Sequence, residues 1–477
     1  MRKQIFLTCL NAVGLALFLA ACRAPVLVQR TANRTVPERF AAASDTLNSA
    51  RVRWRDFFAD STLNALIAEA LQRNQELAIT LQEIELARNE IQARKGEYLP
   101  FVGLRGGAGV EKLGRYTLLG ATESNSEIRP GKEIPEPLPN YLVGAFATWE
   151  VDIWHRLRNA RKAAVSRYLA SVEGRNFLVT NLIAEIATSY YELLALDNQL
   201  DILQKNIEIQ SNALRIVRLQ KEATRVTELA VRRFEAQVLN TQSRQYAIRQ
   251  RIIETENRIN FLVGRFPQPI ARDARAFDSL VPQLVHAGIP SQLLANRPDI
   301  RRADQELAAA RLDVEVARAR FFPSLGISAG IGYQAFNPAY LLKTPQSLLF
   351  SLAGDVAAPL INRNAIKAAY ASASARQIQA VYNYERTILN GYVEVANQLT
   401  NISNLEKSFA LKSKEVEALT ASVGISNTLF NSARADYMEV LLTQREALES
   451  RFDLVELKMQ QFNAVVGVYR ALGGGWN

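Results

Sequence analysis

Cysteine is nearly absent from this sequence, and its two copies, Cys9 and Cys22, both lie at the start of the chain. The remainder therefore carries no disulfide framework and no thiol chemistry. Histidine is equally scarce, because His155 and His286 are the only two and stand too far apart for a metal cluster or a catalytic set. No glycine-rich phosphate loop and no nucleophile elbow occur. We therefore predict no catalytic residue, no metal site and no enzymatic cofactor.

Clusters of one charge sign are also lacking. The chain of 477 residues has 57 Lys and Arg against 47 Asp and Glu, a formal net charge of +10, but the basic residues are spread along it. A nucleic-acid site requires them to be clustered and interleaved with aromatic residues, so we predict no nucleic-acid partner. A hydrophobic content of 48% excludes wholesale disorder.

The first 21 residues have the pattern of a secretory signal peptide. Arg2 and Lys3 precede an apolar run from Ile5 to Ala21, which is too short and too close to the start for an ordinary membrane span. The run ends in Leu-Ala-Ala before Cys22, a sequence that closely resembles the bacterial lipobox. This resemblance implies cleavage before Cys22 and attachment of a diacylglyceryl group to it. Cleavage of a plain signal peptide nearby is the alternative.

Proline is absent between Pro139 and Pro267. Within that stretch aliphatic residues recur at every seventh position, the spacing of coiled-coil helices: Ile186, Leu193, Leu200, Ile207 and Leu214. We predict helices over 156–222 and 226–262, joined by a turn near Glu222–Thr227. At 1.5 Å per residue the first helix would be roughly 100 Å long.

The stretch from Asn296 to Gly332 shows how the rest of the chain is organised. Apolar residues recur every three or four positions from Ile300 to Ala317, which predicts a helix. After Pro323 they alternate with small residues, which predicts a strand. The same passage from helix to strand occurs around Pro100. The chain is therefore predicted to be internally duplicated, and each copy contains a helix, two strands and a helical hairpin.

The predicted organisation has five parts: a signal peptide at 1–21, a lipidated arm at 22–60, the first repeat at 61–264, a proline-punctuated linker at 265–297 and the second repeat at 298–477. The strands are predicted at 99–110, 141–153, 323–334 and 347–359. A helix with Asp60 or Ser61 as its N-cap is predicted to run to about Glu97, including the stretch 75–97. Further helices are predicted at 298–320, 363–430 and 435–470. The segment 111–140 carries four prolines and is predicted to be an exposed loop.

Four strands in one chain cannot close a membrane barrel, for which about eight is the practical minimum. Open strand edges are not tolerated in lipid. If the strands lie in a membrane, they must therefore pair across subunits, with eight strands in a dimer or twelve in a trimer. Aromatic residues in and after the second strand suit a membrane-interface girdle, although soluble proteins also contain aromatic-rich strands: Tyr141, Phe146, Trp149 and Trp154.

Four segments carry a resemblance to a known family: N-R-P-D-I-R-R-A-D-Q-E-L from Asn296, W-R-D-F-F-A-D-S-T-L-N-A-L-I from Trp54, L-V-G-R-F-P from Leu262 and A-L-G-G-G-W from Ala471. Over about residues 22–476 the chain resembles the TolC-type outer-membrane efflux proteins, most closely the lipoprotein branch that serves RND pumps. The resemblance implies a homotrimer, in which a 12-stranded β-barrel in the outer membrane is joined to a long coiled-coil α-helical barrel across the periplasm. It also implies two partners, a periplasmic adaptor (membrane fusion) protein and an inner-membrane RND-type pump.

The predicted function is passive conduction of small molecules to the exterior, with the energy supplied by the pump. One alternative keeps the channel and changes the cargo, as the outer-membrane duct of a type I protein-secretion system. The other belongs to a different class, a lipid-anchored coiled-coil scaffold without a pore. The exported compound is not readable from the sequence.

The resemblance also implies roles for the two helical turns, at Glu222–Thr227 and Asn431–Asp436. They are expected to lie farthest from the outer membrane and to meet the adaptor. The candidate contact residues are Thr224, Arg225, Asn431 and Arg434.

A candidate gate lies just after the second turn. Family members commonly carry an inward aspartate there, and Leu442 stands at that position in this chain. Met438 lies one turn earlier on the same face, so three copies would form stacked apolar rings that gate by dewetting. Alternatively, Leu442 belongs to the ordinary core, because it adjoins the packed seam of its helix, or the carboxylates of Asp436 and Glu439 close the tunnel by charge. The seam residues are Leu441, Leu448, Val455, Phe462 and Tyr469.

Overall fold

The computed structural model describes residues 24–40, 47–273, 277, 279–282, 285–432 and 434–476. The chain forms two compact units. One combines Glu85–Leu169 and Gln305–Val381 with the described residues before Ala32, and the other combines Ala32–Ile84, Ala170–Asp304 and Tyr382–Asn477. Each unit draws on both halves of the chain, so the compact units cut across the two predicted repeats.

The helices and strands follow the predicted order closely. In chain order they are α1 Trp54–Phe57, α2 Ser61–Arg73, α3 Gln75–Glu97, β1 Phe101–Glu111, α4 Leu118–Ser124, β2 Glu127–Arg129, β3 Lys132–Glu133, β4 Leu138–Val151, α5 Arg156–Glu222, α6 Glu228–Val263, α7 Leu293–Asn296, α8 Pro298–Ala319, β5 Ser324–Ala335, β6 Leu348–Ala357, α9 Asn364–Asn431 and α10 Tyr437–Ala471. The predicted limits of the long helices are correct to within two residues. Across the described residues, no helix is both long and apolar enough to span a membrane.

Two predictions of local structure were wrong. The segment 111–140 is not a plain loop, because it contains α4 and the β2–β3 hairpin. These elements are too short to show a hydrophobic period. The only local signal for α4 is its N-cap, where the Thr117 hydroxyl accepts a 3.1 Å hydrogen bond from the Gly120 amide. The helix predicted to run on to Glu97 is interrupted at Asn74. The Asn74 side chain accepts a hydrogen bond from the Leu77 amide at 2.9 Å and donates to the Leu262 carbonyl oxygen at 2.8 Å, so it caps the following helix.

The four long strands form one antiparallel sheet in the order β1-β4-β5-β6. Directly paired residues lie on the same face, and the register therefore assigns each residue to one of two faces. One face is apolar on every strand: Val102, Leu104, Gly106, Ala108 and Val110; Pro139, Tyr141, Val143, Ala145, Ala147, Trp149 and Val151; Leu325, Ile327, Ala329, Ile331, Tyr333 and Ala335; and Leu348, Phe350, Leu352, Gly354 and Val356. The opposite face carries the polar side chains of Arg105, Glu111, Asn140, Gln334 and Asp355.

The aromatic residues of β4 divide between these two faces. Tyr141 and Trp149 lie on the apolar face, near its two ends, whereas Phe146 lies on the polar face opposite Gly330. A Cβ atom on Gly330 would stand 2.8 Å from a ring carbon of Phe146, so glycine is required there to admit the ring. The expectation that Phe146 serves a membrane-interface girdle together with Tyr141 and Trp149 does not fit, because Phe146 lies on the opposite face.

The helical unit is held by the predicted sevenfold row and by the seam of α10. Ile186 and Leu193 are fully buried in one hydrophobic cluster. The seam residues Leu448, Val455 and Phe462 belong to the same cluster. Burial of large aliphatic and aromatic side chains stabilises the fold by about 1.5–3 kcal/mol each, so these rows contribute to the stability of the long helices.

Candidate functional site

The turn that connects α5 to α6, called the first turn, fixes the backbone positions of Thr224 and Arg225, two of the predicted contact residues. Thr224 adopts a left-handed conformation, with φ of 58°, after the last residue of α5. Its amide donates to the Lys221 carbonyl oxygen, and the Arg225 amide donates to the Gln220 carbonyl oxygen, both at 2.9 Å. This pair of hydrogen bonds is the Schellman motif that closes helix ends. The turn is therefore ordered and presents Arg225 at a defined position.

The second turn shares one of these two hydrogen bonds. The Arg434 amide donates to the Leu429 carbonyl oxygen at 2.9 Å, the same six-residue hydrogen bond that holds Arg225. Arg225 and Arg434 thus donate the same type of hydrogen bond after the ends of α5 and α9. Asn431 is the last residue of α9, and its side chain lies outside the described residues.

A small hydrophobic cluster packs the two turns against each other. Phe234 on α6 and Val440 on α10 are buried in it, and Val226 and Phe430 pack at its edge. Beside the cluster lies a cleft of about 310 Å³, and its lining includes Arg225 and Asp436. The structure thus brings a predicted contact residue together with a predicted gate residue. Asp436 precedes α10 without forming a side-chain cap.

A second cleft, of about 470 Å³, contains the two apolar gate candidates. Met438 and Leu442 line it from α10, and the side chain of Leu442 is 40% exposed. Leu442 is therefore not an ordinary core residue of this chain. Across the cleft, Nη1 of Arg233 on α6 lies 2.9 Å from Sδ of Met438.

Sequence reasoning missed the arginines of this cleft. Arg233 and Arg244 line it from α6, and Arg445 lines it from α10 beside Leu442. The spacing of Arg233 and Arg244 places both on one face of α6, since eleven residues make about three helical turns. That signal was present in the sequence. What the sequence does not reveal is that this face meets Met438 and Leu442.

The carboxylates proposed as an alternative gate, Asp436 and Glu439, do not line this cleft. Glu439 is exposed in the first turn of α10. In the part of the chain that the structure describes, neither Glu439 nor Asp436 forms an ion pair. The predicted lipid attachment site, Cys22, lies outside the described residues.

Ion pairs reinforce the first turn from its sides. Lys221 at the end of α5 contacts Glu228 at the start of α6 with an Nζ–Oε2 distance of 2.6 Å, and Arg232 contacts the other oxygen of Glu228 at 2.9 Å. The hydrogen bond from Lys221 and the charge of its ammonium group lower the pKa of the Glu228 carboxyl. The two helix ends are therefore joined by charge as well as by packing.

Proteins of similar sequence match this chain over nearly its whole length. It is 28% identical over 468 residues to the pyoverdine export outer membrane protein OpmQ of Pseudomonas aeruginosa, which covers 98% of this chain and 97% of OpmQ. It is 27% identical over 467 residues to the cation efflux system protein CusC of Escherichia coli O6:H1, with 97% of each chain covered. The solved structure of the outer-membrane channel OprN matches the fold with a TM-score of 0.83 at 23% identity, covering 95% of this chain and 99% of OprN.

The family model described as outer membrane efflux protein matches residues 66–265 and 289–474, which is most of the chain. Members of this family are outer-membrane channels of tripartite efflux pumps and are not enzymes. The two matched stretches, the relatives that span the whole length and the shared fold lead to one conclusion. The chain belongs to the outer membrane efflux protein family and is an efflux channel of the outer membrane.

Proposed function

We propose that three copies of the chain form the channel of a tripartite efflux system, through which small molecules pass passively to the exterior. Their sheets combine into a 12-stranded barrel in the outer membrane, four strands from each copy. Their long helices combine into a periplasmic tunnel. A periplasmic adaptor protein links this tunnel to an inner-membrane RND-type pump, which supplies the energy.

The apolar face of the sheet carries this proposal. Its side chains are uncharged on all four strands, and Leu104 and Phe350 are 91% and 78% exposed in the single chain. Exposed apolar surface of this extent fits lipid contact. Tyr141 and Trp149 are separated by eight residues of β4, roughly 27 Å at 3.4 Å per residue, close to the ~25 Å apolar band between the aromatic girdles of membrane barrels.

The edges of the sheet support assembly from several copies. In the described part of the chain, β1 and β6 each pair on one side only. Unpaired backbone groups are not tolerated in lipid, and pairing of β1 with β6 of the next copy removes both edges. Three copies close a ring of twelve strands, which exceeds the practical minimum of about eight.

The two ends of the channel have separate roles in this proposal. Cys22 carries the lipid that anchors the mature N-terminus, as the preceding Leu-Ala-Ala indicates. Thr224, Arg225, Asn431 and Arg434 form the surface that contacts the adaptor. Met438 and Leu442 narrow the tunnel near the same end, and Asp436 and Glu439 stand at its entrance.

The mass of the detergent-extracted protein tests the assembly. Light scattering should give three copies of the 53.2 kDa chain, less the signal peptide. A monodisperse monomer that retains its β-structure would contradict the barrel. Mass spectrometry of the mature N-terminus tests the lipid anchor separately. An unlipidated residue 22 in the wild-type protein would contradict the proposed anchor but not the channel. Cys22→Ser should abolish lipidation but retain part of the function, because the barrel alone holds the protein in the membrane.

A further inference from the structure

The cleft between α6 and α10 has an unbalanced charge. Three arginines line it, Arg233, Arg244 and Arg445, and Glu449 is the one acidic residue of its lining. Met438 and Leu442 lie among these cations. The surroundings of the two apolar gate candidates are therefore strongly basic.

The positive charges of the cleft arginines are not balanced by carboxylate partners in the described part of the chain. Within the described residues, neither Arg244 nor Arg445 forms an ion pair, and the Arg233 guanidinium contacts the sulfur of Met438. Arginines just outside the cleft differ, since Arg218 and Arg232 both pair with Glu235. Among the residues that the structure describes, the cleft therefore holds three guanidinium groups without a carboxylate partner.

Guanidinium groups in this situation favour oxyanions. Arginine keeps its charge at any physiological pH and binds carboxylate or phosphate oxygens through paired N–H groups. Several cations at a narrow passage raise the local concentration of anions and repel cations. Rings of Arg or Lys side chains are the arrangement by which anion and phosphate pores select, and a symmetric trimer would present three copies of each arginine.

We infer that the periplasmic end of this channel is anion-selective and that its cargo consists of small organic anions bearing carboxylate or phosphate groups. The inference rests on the proposed function, because it requires the cleft to face the conducting path. It assigns the arginines to selection and leaves closure to Met438 and Leu442, which lie in the same cleft.

Ion selectivity in planar bilayers tests the inference directly. Under a KCl gradient the wild-type channel should show a chloride-to-potassium permeability ratio clearly above one, because rings of basic side chains attract anions and repel cations. In the triple variant Arg233→Gln, Arg244→Gln, Arg445→Gln the ratio should fall to about one or below. The control removes three exposed positive charges that do not line the cleft, by Arg215→Gln, Lys407→Gln and Lys414→Gln, and should retain the wild-type ratio.

The outcomes separate this inference from the proposed function. A wild-type channel that conducts but prefers potassium, or a triple variant with unchanged selectivity, overturns the inference and leaves the channel function intact. Absence of conductance from the folded trimer overturns the proposed function itself. Normal selectivity combined with loss of adaptor capture in the triple variant would reassign the arginines to an acidic surface of the adaptor.

Binding to purified protein provides a second readout that does not depend on conduction. Citrate should raise the thermal unfolding midpoint of the wild-type protein and of the control variant, but not that of the triple variant, because a ligand stabilises only the state that binds it. Circular dichroism before the titration checks that the triple variant is folded. An equal shift for wild type and triple variant would contradict an anion site in the cleft.

Discussion

The guanidinium group of Arg297 donates a 2.7 Å hydrogen bond to the carbonyl oxygen of Ala471. It thereby joins two of the segments that carry the family resemblance, the one that follows Asn296 and the one that begins at Ala471. The link is reinforced by Trp476, whose indole nitrogen donates to the Asn296 carbonyl oxygen at 3.2 Å. Gly473 permits the contact, because its φ of 83° and its closeness to Asn296 leave no room for a side chain. We interpret both motifs as a structural joint.

Loss of this joint should destabilise the protein. The Arg297 side chain is 5% exposed and pairs with Asp299 and Glu394. Arg297→Met leaves Asp299 half-buried without its cation, which should lower the free energy of unfolding by about 3 kcal/mol. Denaturant unfolding of the detergent-solubilised protein measures this. The exposed control Arg311→Met should change little, and equal effects of the two substitutions would contradict the joint.

Most of the fold could be predicted because its elements are long and regular. The sevenfold row through Leu193 specifies a helix over many turns, and the change of period at Pro323 specifies a strand, so errors at the ends remain small. Asn74 gives a local signal through its hydrogen bond from the Leu77 amide, but its second hydrogen bond, to Leu262, lies far along the chain and could not be predicted. Tertiary contacts of this kind leave no local pattern.

The candidate site was only partly predictable for the same reason. Leu442 and Met438 share one helix face, and periodicity alone indicates this. Arg233 reaches Met438 from another helix, and nothing in the sequence specifies which face of α6 meets α10. The basic character of the cleft therefore appears only in the structure.

A charge on the apolar face of the sheet should impair membrane insertion. Leu352→Lys places a cation among lipid-facing side chains, at a cost of about 2–4 kcal/mol near the bilayer midplane. The neighbouring Ala353→Lys lies on the opposite face and should cost little. The yield of folded trimer in outer-membrane preparations distinguishes the two variants. Equal yields would show that the assigned face does not contact lipid.

The arginines at the two turns should contribute to adaptor binding. Replacing Arg225 or Arg434 by glutamate reverses a charge in one of the two turns, and we expect each change to weaken capture of the purified adaptor while the trimer remains intact. The double variant should show the larger loss. Arg215→Glu, on the exposed surface of α5, serves as the matched control. Unchanged capture by the double variant would place the contact elsewhere.

If Leu442 forms an apolar constriction in the tunnel, replacing it with a polar residue should open the channel. Leu442→Ser removes the dewetting surface and is expected to raise resting conductance and to sensitise cells to large antibiotics such as vancomycin. Leu239→Ser, an exposed leucine of α6 outside the cleft lining, is the control. Millimolar calcium should have little effect on the wild-type channel. Strong calcium block that disappears on neutralising Glu439 or Asp436 would show that carboxylates close the tunnel.

The ion pair at the first turn predicts a dependence on pH. The pKa of Glu228 is lowered by the hydrogen bond and charge of Lys221, so its folded-state pKa lies below the unfolded value. The interaction is complete above the unfolded pKa and is lost as the pH falls through the folded pKa. Amide exchange of residues 223–227, corrected for its intrinsic pH dependence, should therefore increase in acid. Glu228→Gln should produce that increase at neutral pH, whereas Glu222→Gln should not.

Single-channel recording of the purified wild-type trimer in planar bilayers is the most direct measurement of whether this chain is a conduit. A passive duct should produce discrete, reproducible conductance steps in the absence of pump, adaptor and any energy source, and Leu442→Ser should increase the current through each channel. A folded, lipid-inserted trimer that never conducts, even as the Leu442→Ser variant, would contradict the proposal and favour a scaffold without a pore.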